Sequence, residues 1–267
     1  MFKEVFSLEG VIKILIPIFR STWYLWASII LVVIIKIFWP KIMGFLGEKS
    51  VAFFLLWLDS KKYKVINNLM ANIEGKTTQI DHLVITNFGI FVIETKNYGG
   101  KIYGSEFSDY WTQVIHKHKE KFYNPIKQNY GHVQALKTAL KEFPNMLYFP
   151  IVVFTTRADL KVKTNTDVIY DIKLIKTIIK HHQTDIISDD IRDKIYTYLN
   201  TLNITDRNLR KKHVHNIIDK KNERKNKISN NICPRCGGSL VIRYGKYGPF
   251  KECINYPKCK FTFDIRK

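Results

Sequence analysis

At 267 residues the chain is long enough for one mid-sized core plus appendages. A hydrophobic share of 46% with 13% aromatics excludes wholesale disorder. The formal charge of +20, from 43 Lys and Arg against 23 Asp and Glu, calls for a polyanionic partner, either phosphate backbone or anionic lipid, unless it only records an A·T-rich coding sequence.

In chain order, the first predicted element is a membrane segment, residues 1–41, with a span at about 21–39. Between Arg20 and Lys41 runs STWYLWASIILVVIIKIFWP, whose single charge, Lys36, lies near one end where its stem can snorkel to the headgroups. Trp23, Tyr24 and Trp26 mark one edge and Trp39 the other, as in an interfacial aromatic belt. A buried core helix and a cleaved signal peptide are the competing readings, and the second lacks a small-x-small cleavage site. Lys3, Lys13 and Arg20 precede the span. The heavier load of Lys36, Lys41, Lys49, Lys61 and Lys62 follows it, which predicts a single-pass protein whose C-terminal domains face the cytoplasm. Residues 8–19 either extend the helix or lie along the interface.

Residues 42–202 read as the main domain. Gly47-Glu48-Lys49-Ser50 leads into VAFFLLWL, a predicted helix starting near Glu48 and packing inward. Strands are predicted at Lys64–Leu69, Gln79–Thr86 and Ile90–Lys96, the last two joined by a tight turn at Asn87-Phe88-Gly89. Residues two apart on a strand share a face, so Glu94 and Lys96 project together, opposite Phe91 and Ile93. Pairing through the turn brings Asp81 opposite Glu94 to Lys96. Two carboxylates and one ammonium suit phosphodiester hydrolysis: the acids hold Mg²⁺ in hard oxygen coordination and the lysine stabilises developing charge or orients water. A solvated cross-strand ion pair is the alternative. His82 points to the other face. His116 and His118, among Lys117, Lys119 and Lys121, offer an unspecific substrate contact.

Further on, GHVQALKTALKEF reads as a helix and YFPIVVFT, Tyr148–Thr155, as an interior strand. A strand near Val168–Tyr170 and helices near Leu174–Lys180 and Asp189–Leu199 complete an α/β domain with a mixed sheet flanked by helices. Residues 203–231 read as a basic linker with no apolar face. His181-His182 and His213-x-His215 read as solvated residues rather than ligands.

The tail, 232–267, carries all four cysteines as Cys233-x2-Cys236 and Cys253-x5-Cys259. Their clustering disfavours a framework that staples a whole fold and suits structural Zn²⁺ in a reducing compartment, with disulfides as the alternative. Aromatic side chains alternate there with cations, the stacking-plus-charge arrangement of single-strand nucleic-acid binding. Arg243, Tyr244, Lys246, Tyr247, Phe250 and Lys258 are the predicted contacts; Tyr256, Phe261, Phe263, Lys251 and Lys260 share the pattern, some of the aromatics being needed for a mini-core.

Two resemblances sharpen these expectations. Gly47 to about Gln134, with GE, QIDH, GIFVIETKNYGG, a Trp and NPIKQ in order, resembles the nuclease-related domain (NERD) family. That resemblance implies a restriction-endonuclease-like PD-(D/E)xK fold with Asp81, Glu94 and Lys96 as its D…ExK core, Glu48 as an accessory acid and Gln128 as a further active-site group. The segment CPRCGGSLVIRYGKYGPFKECINYPKCKFTF resembles the C4 zinc finger of bacterial type I DNA topoisomerases, which implies contact with single-stranded DNA. The expectation is a Mg²⁺-dependent nuclease held at a bacterial cell membrane and served by a zinc ribbon. The alternatives are a catalytically silent DNA-binding tether and a scaffold on anionic lipid.

Overall fold

The computed structural model describes residues 8–245 and 248–265, and the chain divides into two compact units, 1–203 and 204–267. The first opens with one continuous helix, α1 (Leu8–Leu55), of 48 residues and about 72 Å at 1.5 Å per residue. Its segment Arg20–Trp39 is wholly exposed and is long and apolar enough to cross a membrane. Along the backbone, residues 8–19 extend this helix. The helix expected to begin near Glu48 does not begin there, because Glu48 lies well inside α1. Gly47 is no stop signal: a Cβ on it would sit 2.5 Å from Asn97 Cβ, so the glycine permits close approach of helix and strand. The Asn97 amide donates to Met43 O across that contact.

Strands β1 (Lys64–Ile73) and β2 (Lys76–Ile85) are longer than predicted and form a hairpin. Glu74 (φ 49°) and Gly75 (φ 77°) both adopt the left-handed conformation, the primed turn that matches strand twist. Then come β3 (Gly89–Lys96), β4 (Gly100–Ser105), β5 (Tyr110–Ile115), β6 (His118–Tyr123) and helix α2 (Pro125–Ala139). Strands β7 (Leu147–Phe154), β8 (Ala158–Lys163) and β9 (Asp167–Tyr170) precede helices α3 (Leu174–Lys180) and α4 (Asp189–Thr201).

Five strands form a mixed sheet in the order β1-β2-β3-β7-β9, antiparallel on the β1–β3 side and parallel from β3 to β9. One face carries Leu83, Ile85, Ile90 and Val92 against Val133 and Leu136 of α2 and Ile195 and Leu199 of α4. The other carries Phe91, Ile93, Ile151 and Val153 against Val51 and Leu55 of α1 and Leu174 and Ile178 of α3. Burying both faces explains why residues 90–93 of β3 and 151–154 of β7 read as unbroken apolar runs rather than alternating ones. A second mixed sheet, β6-β5-β4-β8, packs Ile102 and Trp111 against Val152 and Phe154. None of its four strands was among those predicted, because its sequence is polar and cationic on one face.

In the second unit, residues 207–229 form helix α5 (Arg207–Ser229) where a linker was expected. A helix needs no apolar stripe when its ends and flanks are satisfied. Asp206 accepts from the Asn208 and Leu209 N–H groups as N-cap, and Lys227 pairs with Glu223 at 2.7 Å. Strands β10 (Leu240–Gly245), β11 (Gly248–Cys253) and β12 (Thr262–Asp264) form a small antiparallel sheet.

Candidate active site and metal centre

The end of β3 meets the start of α2. Glu94 is 2% exposed, and its Oε1 lies 2.5 Å from Lys96 Nζ, which also donates to Gln128 Oε1 at 3.1 Å. Asp81 reaches the same strand from β2: its carboxylate accepts from the Thr95 N–H at 2.8 Å, just beyond the last paired residues, His82 and Ile93. Opposite Asp81, Asn68 takes a left-handed φ of 55° and drops out of the pairing between Asn67↔His82 and Leu69↔Ile80. The ladder is thus irregular where the acid sits. The structure therefore gathers Glu94, Lys96 and Gln128 by direct contact and links Asp81 to their strand through the backbone.

The electrostatics tie the group together. Burial, and then the Glu94 charge, push Asp81 up to about 7. Glu48 on α1 is raised likewise, by its own burial first and then by Glu94, with Lys96 opposing. Burial works against ionised Glu94 too, but Lys96 and His132 outweigh it and hold that carboxyl below its usual value. Burial disfavours the Lys96 ammonium, yet Glu94 reverses the balance and keeps it protonated. Burial drives His82 down to about 4 against the pull of Glu94; it packs inside with its Nδ1 2.7 Å from Asn67 Oδ1.

Sequence reasoning missed three residues here. His132 Nε2 lies 3.3 Å from Glu94 Oε2, while its Nδ1 lies 2.9 Å from Thr78 Oγ1. Its signal was its place four residues after Gln128, on the same helical face. Asn129 is fully buried and donates to Val92 O (2.8 Å) and Ile151 O (3.1 Å), clamping α2 onto β3 and β7. Asn124 accepts from Ile126 N as N-cap of α2 and donates to the carbonyls of Ser105, Glu106 and Ser108. The Asn-Pro pair that opens NPIKQ is the matching helix-start signal.

In the second unit the four cysteines converge, their sulfurs all within 4.8 Å of one another. Cys233 and Cys259 sulfurs are 3.7 Å apart and those of Cys236 and Cys253 3.3 Å, near the spacing of about 3.8 Å that a tetrahedron of Zn–S bonds of about 2.3 Å requires. The donor set fits a structural Zn²⁺. Gly237 (φ 77°) turns the first knuckle, where the Cys233 N–H donates to Gly238 O and the Gly237 N–H to Cys233 O. A backbone bond from Gly238, and then the Asn255 amide, lower Cys236 to about 6, toward the thiolate a metal needs, whereas burial raises Cys253 to about 12 and Cys259 in the same direction, so the site rests on its geometry and donor set.

Among the described residues, this is the group of three or more metal-capable side chains that closes to such distances. Asp81, Glu94 and Glu48 of the first unit do not close into such a group. Glu94 Oε2 is buried there with His132 Nε2 3.3 Å away, a pair whose geometry falls short of a hydrogen bond, and a hard divalent ion would satisfy that oxygen more fully.

The predicted nucleic-acid contacts of the ribbon do not share one surface. Arg243 and Phe250 are cross-strand partners on one face and Tyr244, 84% exposed, lies on the other. Arg243 is paired with Glu252 at 3.4 Å, and Phe261 is spent on the mini-core. Lys258 lines a separate hollow of about 370 Å³ with Tyr256 and Pro257. Lys246 and Tyr247 lie outside the described residues.

Comparison with known proteins finds a family match in each unit. Residues 43–155 match the family model described as nuclease-related domain, and residues 230–267 that described as topoisomerase DNA binding C4 zinc finger. An uncharacterized protein of Bacillus anthracis is 38% identical over 186 residues, covering 68% of this chain and 86% of that protein. DNA topoisomerase 1 of Methanocaldococcus jannaschii is 51% identical over 41 residues, 15% of this chain and 5% of the topoisomerase. That of Campylobacter jejuni is 50% identical over 34 residues, 13% of this chain and again 5% of the enzyme. No solved structure matches the chain. The chain belongs to the nuclease-related domain family and ends in a topoisomerase-type C4 zinc finger.

Proposed function

We propose that this protein is a membrane-held, divalent-metal-dependent nuclease with a PD-(D/E)xK-type site, and that its zinc ribbon engages single-stranded DNA. One observation carries the reading: Lys96 bridges Glu94 and Gln128, and a second carboxyl, Asp81, bonded to the Thr95 N–H of the same strand, is pushed up to about 7 by burial and the Glu94 charge. A carboxyl raised that far by burial and a like charge is one that a bound cation would return to its ionised form.

Asp81 and Glu94 would hold Mg²⁺, and the ion, when bound, would polarise the phosphoryl oxygen. Lys96 keeps its proton at neutral pH and directs it toward the anionic phosphate. Gln128 fixes the ammonium from the helix side, and Glu48 adds negative potential from α1. The Arg20–Trp39 segment would span a bacterial cell membrane once, with the domains that follow it at the cytoplasmic face.

A second reading, a DNA-binding tether without catalysis, is favoured by the contacts Glu94 already has: Lys96 on one oxygen and His132 near the other. Cleavage separates the two. The full chain in detergent with Mg²⁺ is expected to cut DNA, and Asp81→Ala or Lys96→Ala to abolish cutting while binding persists. A wild type that binds DNA and cuts with neither Mg²⁺ nor Mn²⁺ would leave the tether reading in possession.

A further inference from the structure

The four-stranded sheet β6-β5-β4-β8 has one face on the core and one in solvent, and the solvent face is chemically specific. Pairing fixes its membership. Tyr103 lies opposite Thr112 and Lys161, Lys101 opposite Val114 and Asp159, and Val114 and Thr112 in turn face Lys119 and Lys121. Ile102, Trp111 and Phe122 take the other side, against the core. His118 and Glu120 align with Ile115 and Gln113 on that same side, so the histidine noted in the sequence does not share the lysine face.

Three tyrosines cross this solvent face as a diagonal track. Tyr110 sits opposite Tyr123, with ring centroids 6.1 Å apart, and Tyr103 is one diagonal step from Tyr110 across β4 and β5. They are 44%, 38% and 48% exposed for Tyr103, Tyr110 and Tyr123. Lysines flank the track on both sides: Lys161 and Lys163 from β8, Lys101 from β4, Lys119 and Lys121 from β6. The face also carries a carboxylate, Asp159, held 3.0 Å from Lys161.

We infer that this tyrosine–lysine face binds a single strand of nucleic acid, independently of the zinc ribbon. The cations supply the sequence-tolerant attraction to phosphate, and the exposed rings supply platforms for bases. Only unpaired bases present a free π-face to an open sheet, so the ligand is a strand rather than a duplex. A lipid interface also takes tyrosines and lysines, but a diagonal track of rings across three strands, with cations on both sides, matches a row of bases and its phosphates. The face is tied to the acid cluster at both ends of the chain segment that builds it. β4 starts at Gly100, shortly after Lys96, and β6 ends at Tyr123, shortly before Gln128. The inference deepens the proposed function and rests on its nucleic-acid reading, though not on cleavage.

The test is fluorescence anisotropy of labelled oligo-dT on the full chain in detergent, without Mg²⁺ and across a salt series. Wild type is compared with Tyr103→Ala/Tyr123→Ala, with Lys101→Gln/Lys119→Gln, and with Tyr244→Ala on the ribbon, each verified folded by ellipticity and melting. The tyrosine pair is expected to weaken binding about tenfold or more at every salt concentration. The lysine pair is expected to make the log–log salt dependence shallower by about 1.4. Both effects should appear again in the Tyr244→Ala background. Wild-type affinity and slope in both pairs overturn the proposal, as they would if this face rested on anionic headgroups. A loss confined to the lysine pair also overturns it, since charge without stacking is then the whole interaction. No binding of oligo-dT by wild type would sink the nucleic-acid reading itself, whereas binding without cutting would sink only the nuclease.

Discussion

Lys96 Nζ and Glu94 Oε1 are 2.5 Å apart on the same face of β3, with side-chain exposures of 16% and 2%. A pair this deep is a poor source of net stability but a demanding one to break, because removing one partner strands the other charge away from water. Lys96→Met is therefore expected to lower the unfolding free energy by about 3–5 kcal/mol. Glu94→Gln/Lys96→Met should recover most of that loss. Urea melts of the two variants check this; equal losses would mean the pair is more solvated than its geometry indicates.

The pH dependence of stability carries two opposing contributions from neighbouring residues of β2. Asp81 is raised from 3.8 to about 7, so between those values the folded protein holds a proton the unfolded chain has released. Stability from this source falls as pH rises, by up to about 1.4 kcal/mol per pH unit, and levels off above about 7. Glu48, also raised, acts in the same direction. His82 is lowered from 6.5 to about 4, so in that window the unfolded chain holds the extra proton and stability rises with pH. Asp81→Asn should leave a profile that climbs from about pH 4 to 6.5, and His82→Gln one that declines toward pH 7. Thermal melts across that range decide it, and parallel profiles for the two variants would contradict the assignment.

Asn124 joins the second sheet to α2 through one cap bond and three bonds to carbonyls. Asn124→Ala is expected to cost about 2 kcal/mol or more, since the cap is lost and buried carbonyls are left unpaired. Asn124→Asp should fare no better, because a carboxylate can cap the helix but cannot donate to the carbonyls of Ser105, Glu106 and Ser108. Denaturant midpoints for both variants test this.

Zinc is expected to hold the C-terminal unit together without holding up the first. Cys236→Ser should lower the bound zinc, measured by elemental analysis, and abolish amide protection at Leu240 and Phe261 in the mini-core. The melting of residues 1–203 should stay as in wild type. Unchanged zinc stoichiometry would overturn the four-thiolate site.

The parts of the fold that were legible were those where local chemistry speaks for itself. The β7 segment YFPIVVF reads as an apolar run and is buried at residues 151–154, and the four cysteines need only their spacing. Glu94 and Lys96 were placed on one face by strand periodicity alone, and their contact follows from it. What was illegible depended on partners far along the chain. Gly47 looked like a helix boundary because its close neighbour, Asn97, lies on the far side of a hairpin. The β4–β6 meander was hidden because its strands are short and mostly polar, with Ile102 and Trp111 as their fully buried side chains, and residues 207–229 were read as a linker for want of an apolar stripe. His132 went unnoticed since a histidine four residues after a glutamine gains meaning only once Glu94 is seen beside it.

The account rests most heavily on Asp81 and Glu94 sharing one divalent ion. Mn²⁺ binding, followed by electron paramagnetic resonance on the full chain in detergent with zinc already bound, measures that directly. One Mn²⁺ site in wild type, lost in both Asp81→Asn and Glu94→Gln, is the expected result. Mn²⁺ binding that is the same in wild type and in both variants would contradict it.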